Sequence, residues 1–137
     1  MDAAARILAL SGIVLPLCAA SFIVGDRSFK LAASIIAACW TAVVLTELVV
    51  GSRFAIVFAG DIVCGAGLVW IAWRSRAGWP IFLVATEALL ILINALAFGG
   101  TSRPSDLEIL GYNALIVCGP IYMTGMAFWQ RFKARGR

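Results

Sequence analysis

Five stretches of this chain are too long and too apolar to sit anywhere but in hydrocarbon: Ile7–Val24, Leu31–Val50, Phe54–Trp73, Pro80–Phe98 and Ile109–Trp129. About 20 apolar residues at 1.5 Å each cross the roughly 30 Å of a bilayer's apolar core. No water is available there to the backbone N–H and C=O groups, so each run must bond them internally, as a helix. The separators GDRSFK, GSR, RSRAG and GGTSRPSDLE carry breaker chemistry. Three of these four connections are too short for anything but antiparallel neighbours. Composition agrees: 63% of the 137 residues are hydrophobic and 13% charged, where soluble chains are about half apolar and a quarter charged. A chain this short cannot bury that excess in one core. The expectation is a single all-α domain over residues 1–137, an integral membrane bundle of five transmembrane helices with short loops, ending in a basic tail over residues 130–137.

Several helix ends are marked. Ser105 and Glu108 form a capping box, with Ser105 as N-cap and Glu108 three positions on. Pro80 suits the first turn of its helix, where a missing N–H costs nothing. Pro16 and Pro120 fall inside spans one and five, where each is expected to kink its helix and free a carbonyl four residues earlier. Cys18-Ala-Ala before Ser21 resembles a small-residue cleavage site. The run starts weakly basic and stays apolar past that point, so it reads as a span.

Charge orients the bundle. Five spans put the termini on opposite faces. The face of the C-terminus carries Arg27, Lys30, Arg74, Arg76, Arg131, Lys133, Arg135 and Arg137; the other carries Arg6, Arg53 and Arg103. The positive-inside rule then predicts a bacterial inner-membrane protein with its N-terminus outside and its C-terminus in the cytoplasm. Trp70, Trp73, Trp79 and Trp129 are expected to form an aromatic belt at the cytoplasmic interface. Arg131, Lys133, Arg135 and Arg137 are read as an anchor on anionic lipid, at about 1 kcal/mol per basic residue.

The same residues narrow the function classes. The net charge of +4 comes from loops and the tail, not from a soluble basic face, so no nucleic acid is expected as a partner. With no histidine, the usual ligand of haem b, copper and zinc is missing. Lys30 and Lys133 fall at segment ends, away from any place for a retinal Schiff base. Cys18, Cys39, Cys64 and Cys118 lie in four different runs with no CxxC and read as small apolar packing residues. No nucleophile–base pair or phosphate loop is visible. The expectation is no catalytic residue, no cofactor and no metal.

Three carboxylates hide in the runs. Glu47 lies near the outer end of span two, within reach of the interface or of Arg53. Asp61 is seven residues into span three, about 10 Å deep at 1.5 Å per residue. Glu87 is seven residues into span four, from the other side. A charge at such depth costs a few kcal/mol or more unless paired or neutralised, so these groups are expected to face the bundle interior. Asn94 shares a face with Glu87 at i, i+7. Gly60, Cys64 and Gly67 of span three, and Ser34, Ala38 and Ala42 of span two, are small residues that allow close helix approach. They predict spans two, three and four packed together, with Asp61, Glu87, Asn94 and Glu47 as a buried polar cluster. Trp40 is expected to be buried against a neighbouring helix.

One longer pattern stands out: Asp61, Arg74 thirteen residues on, Trp79-Pro80, then polar residues at 87 and 94. It resembles a group of small uncharacterised multi-pass membrane proteins of alphaproteobacteria. Their pattern has a glutamine where this chain has Glu87 and a histidine where it has Asn94. The resemblance covers spans three and four, extending toward Pro120 and Trp129. It implies architecture and carries no chemistry; Asn94 in the histidine's place argues against any titration or metal role in this member.

Loops too short to build a site outside the bilayer leave packing surface as the main asset. The expected function is a small accessory or assembly subunit of a larger inner-membrane complex, with other integral membrane chains and lipids as partners. The alternative is a proton- or cation-coupled transporter or channel using Asp61, Glu87 and Glu47. A lipid-modifying enzyme ranks third, because the two deep carboxylates start from opposite faces.

Overall fold

A computed structural model describes residues 3–50, 54–97 and 106–136. They form α1 (Ala3–Val24), α2 (Arg27–Val50), α3 (Phe54–Ser75), α4 (Trp79–Ala97) and α5 (Asp106–Arg135). All five are long and apolar enough to cross a membrane, and no strand occurs among the described residues. Ser105 of the predicted capping box, and Arg53, Arg103 and Arg137, lie outside the described residues.

The helix ends follow local chemistry. α2 starts four residues before the apolar run because Asp26 caps it: its Oδ1 accepts the N–H groups of Ser28 at 2.9 Å and Phe29 at 3.2 Å. The preceding turn requires Gly25, where a Cβ would lie 2.3 Å from the Phe29 Cβ and 2.6 Å from the Ser21 carbonyl. α3 ends at a left-handed residue, Arg76, with φ 51°, in the role usually taken by glycine. Pro80 occupies the first turn of α4, and α1 and α5 run on through Pro16 and Pro120. The basic tail is not a separate segment: α5 continues to Arg135, since Gln, Arg, Lys and Ala are good helix formers and no breaker precedes Gly136.

The helices close into a ring. Each packs on its neighbour in sequence, and α5 packs back on α1; α2 and α5 touch marginally. Sequential neighbours are antiparallel. α1 and α5, both odd in order, run parallel. Their seam is polar: the buried Ser21 and Thr124 hydroxyls lie 2.9 Å apart, and Thr124 Oγ1 also sits 3.0 Å from the Leu17 carbonyl and 2.8 Å from that of Pro120. Thr124 can thus donate to a carbonyl while accepting from Ser21. The outer wall is apolar, with Ile23, Val49, Trp73 and Leu96 more than 70% exposed, as fits a surface in contact with lipid.

Close approach of α3 to its neighbours uses its glycines. A Cβ on Gly67 would meet Ile35 at 3.0 Å, one on Gly60 would meet Val43 at 3.0 Å, and one on Gly65 would meet the Glu87 side chain at 3.3 Å. The predicted small stripe of α2 points elsewhere. Ser34, Ala38 and Ala42 are exposed on the outer wall, because α2 fills the glycine notches of α3 with its β-branched residues instead.

The aromatic belt also needs correction. Trp70, Trp73 and Trp129 are exposed, but Trp79 is buried and stacks on Phe29 with centroids 3.9 Å apart and planes 12° from parallel. α2 and α4 are not ring neighbours, so this stack spans the bore. With Leu68, Leu83 and Met123, all buried, it plugs the end of the ring on the C-terminal side.

Candidate functional site

Beyond the plug the bore widens into a chamber of about 60 Å³, walled by all five helices. That is room for a few waters. Val14 of α1, Trp40 and Val43 of α2, Leu90 of α4 and Ile116 of α5 supply apolar wall; Asp61, Cys64, Thr86, Glu87 and Tyr112 supply polar groups.

The polar groups sit at two levels. At the level farther from the plug, Asn94 Nδ2 donates to Asp61 Oδ2 and, at 3.2 Å, to Tyr112 Oη. Tyr112 Oη donates to the same Asp61 oxygen at 3.5 Å. One amide, one carboxylate and one phenol thus tie α4, α3 and α5 together. Asn94 is only 2% exposed; its position opposite Asp61 follows from the antiparallel register of α3 and α4. Glu87 lies seven residues back along α4, about 10 Å nearer the plug at 1.5 Å per residue. Its stem crosses Gly65, where any side chain would crowd it. Cys64 is a side-chain hydrogen-bonding neighbour of both Glu87 and Cys39. Among the described residues, every buried side-chain N or O atom has a partner.

Of the predicted cluster, the structure brings Asp61 and Asn94 into direct contact and gives Glu87 the same chamber. Glu47 stands apart. It is half-buried in the last turn of α2, beyond Val43, where the α2 lining ends. The two deep carboxylates, expected to be too far apart in depth for one site, line the same cavity, which extends along α3 and α4 from Gly60 to Leu68 and from Leu83 to Leu90. The sequence reading missed Tyr112, although a phenol inside an apolar run needs a partner. It also treated Cys64 and Cys39 only as packing residues. Trp40 packs toward α1 as expected, and its Nε1 donates to Ser11 Oγ at 3.0 Å. Cys18 and Cys64 are buried while Cys118 is exposed. Arg131, Lys133 and Arg135 are exposed at the end of α5.

Thr86 bonds back to the Leu83 carbonyl at 2.8 Å, which leaves its oxygen able to accept a further donor from the chamber. No group of three or more His, Cys, Asp or Glu side chains is gathered among the described residues in the way a metal ion would need. The arrangement can hold protons, water or a small oxygen-liganded ion between two carboxylates, an amide, a phenol and a hydroxyl.

Fold and site together define a multi-pass membrane protein, a closed ring of five helices with an acidic interior. No family model, curated protein or solved structure matches the chain.

Proposed function

We propose that this protein is a small proton- or cation-handling membrane protein whose working part is the chamber. The observation that carries this reading is the presence of Asp61 and Glu87 in one cavity walled by all five helices. A purely structural polar knot would be complete with Asp61, Asn94 and Tyr112. Glu87 adds a second deep acid that this knot does not require, and such groups are costly enough in a bilayer to be rare outside ion and proton paths. In this reading Asp61 receives the proton or cation from the end of the ring away from the plug, Glu87 is the inner station, and the Phe29–Trp79 stack is the barrier. The protein lies in a bacterial inner membrane with the plug facing the cytoplasm, following the charge bias of its loops and tail. The test is flux in proteoliposomes containing the purified chain. Asp61→Asn and Glu87→Gln together are expected to abolish it; flux that survives both changes overturns the mechanism.

A second reading, an accessory subunit of a larger inner-membrane complex, is favoured by the outward face of Ser34, Ala38 and Ala42. Small residues on a lipid-facing wall suit contact with a helix of another chain. Co-purification with a larger complex in mild detergent, lost on Ala38→Leu, is its expected signature. A preparation that stays free of other chains counts against it.

A further inference from the structure

We propose that the outer groove between α1 and α2 binds one anionic phospholipid, with an acyl chain in the groove and the phosphate on Lys30 and Arg27. This inference is independent of the chamber. The groove has a volume of about 420 Å³ and is lined by Leu15, Cys18, Ala19, Phe22 and Ile23 of α1 and by Ala33, Ser34 and Ala37 of α2. From Leu15 to Phe22 it runs about 10 Å down α1, at 1.5 Å per residue. Alanines on both walls keep it hollow, and its open side faces the membrane, so hydrocarbon is the matching occupant.

Charge at one end selects the kind of lipid. The Lys30 ammonium sits 5.7 Å from the centroid of the Phe22 ring, and Phe22 is itself part of the groove wall. Arg27 is three residues earlier on α2 and therefore on the same side of the helix. Both are exposed. The carboxylate on this turn, Asp26, turns its Oδ1 to the backbone N–H groups of Ser28 and Phe29, and its single charge leaves this end of the groove net positive beside Arg27 and Lys30. Basic groups at the mouth of an interhelical pocket, just outside the hydrocarbon, are how anionic headgroups are held. A zwitterionic headgroup would bring its own cation toward these two.

The full chain in mild detergent, supplied with equal phosphatidylglycerol and phosphatidylcholine, is examined by native mass spectrometry. One phosphatidylglycerol is expected to be retained roughly thirtyfold over phosphatidylcholine, given the pull of two basic residues. Arg27→Gln with Lys30→Gln should bring the ratio near parity. Ala19→Leu with Ala37→Leu should expel lipid of either kind, and Arg131→Gln, Lys133→Gln and Arg135→Gln together should leave the preference intact. The charge variants lie on the exposed surface, so loss of fold does not confuse the outcome. Equal retention of both lipids overturns the proposal. So does a preference that follows the α5 tail rather than Arg27 and Lys30, or a dimer in place of bound lipid that dissociates when the groove is filled.

Discussion

Asn94 on α4 holds Asp61 on α3 and Tyr112 on α5 with the two hydrogens of one amide. No other side chain in the knot could do this. A carboxylate would repel Asp61, and a hydroxyl has a single hydrogen to give. Asn94→Leu therefore leaves a buried acid and a buried phenol each short of a donor. The expected loss is about 1–3 kcal/mol of stability. Tyr112→Phe removes the hydroxyl's contacts with Asn94 at 3.2 Å and Asp61 at 3.5 Å and should cost about 1 kcal/mol, at about 0.6 kcal/mol for an average hydrogen bond between membrane helices. Unfolding of the purified chain in detergent micelles checks the order; equal losses would mean the amide is not the hub.

The Phe29–Trp79 stack predicts a change in access. Trp79→Ala should cost about 3–5 kcal/mol as a large buried ring is removed, and Trp79→Phe less, since a ring remains to lie on Phe29. Opening the plug should also expose Cys64, which is 5% accessible in the intact ring. In a background with Cys18, Cys39 and Cys118 each changed to Ser, alkylation of Cys64 by a membrane-impermeant thiol reagent, added on the side of the C-terminus, is expected to rise in Trp79→Ala and stay low in Trp79→Phe. Unchanged labelling in both would show that the barrier lies elsewhere.

Much of this fold is legible in the chain because hydropathy is local and additive. Five apolar runs and their breakers give five helices with ends displaced by a few residues, and the displacements trace to single groups such as the Asp26 cap. What the pattern leaves open is rotation. A helix that is apolar all round gives no stripe to orient it, so Ser34, Ala38 and Ala42 could as well face α3 as lipid. The answer came from α3, whose glycines accept Ile35 and Val43. The inward turn of Asp61 and Glu87 was readable because the bilayer penalises the alternative. Tyr112 and the plug were not, since each depends on a partner in a helix far away in sequence. Trp79 illustrates this: its position at a span boundary suits an interfacial belt equally well until Phe29 is known to lie across the bore.

The glycine notches predict overpacking. Gly67→Ala places a methyl group 3.0 Å from Ile35 and should destabilise by about 1–3 kcal/mol. Ile35→Ala in the same chain should recover part of that loss, a coupling that a double-mutant cycle measures. Gly12 has nothing within 4 Å of its would-be Cβ, so Gly12→Ala should leave stability unchanged or slightly raised. Gly25→Ala, which meets both a side chain and a backbone carbonyl, is expected to be the most damaging of the three.

The charge bias of the loops predicts topology. Reporter fusions at Arg137 should be active with a cytoplasm-only reporter and silent with a periplasm-only one, with the reverse at the amino terminus. Replacing Arg131, Lys133 and Arg135 by Gln leaves Arg27, Lys30, Arg74 and Arg76 on the same face and should keep the orientation. Inversion on that change would mean that the tail alone sets it.

Closure of the ring rests on one parallel seam, and Ser21 and Thr124 give a direct way to test it. Their hydroxyl oxygens are 2.9 Å apart, which brings the two side chains close to the Cβ spacing of roughly 3.5–4.5 Å that a disulfide needs. In a background with Cys18, Cys39, Cys64 and Cys118 each changed to Ala, Ser21→Cys with Thr124→Cys should join α1 to α5 on mild oxidation in native membranes. A protease site placed between residues 98 and 105 then leaves the two halves linked until a reductant is added. Moving one partner out of register, as in Ile23→Cys with Thr124→Cys, should give no link, because Ile23 is 73% exposed on the outer wall. An open row of helices with α1 and α5 at opposite edges would link in neither pair. That outcome would remove the fifth wall of the chamber and the enclosure on which the site depends.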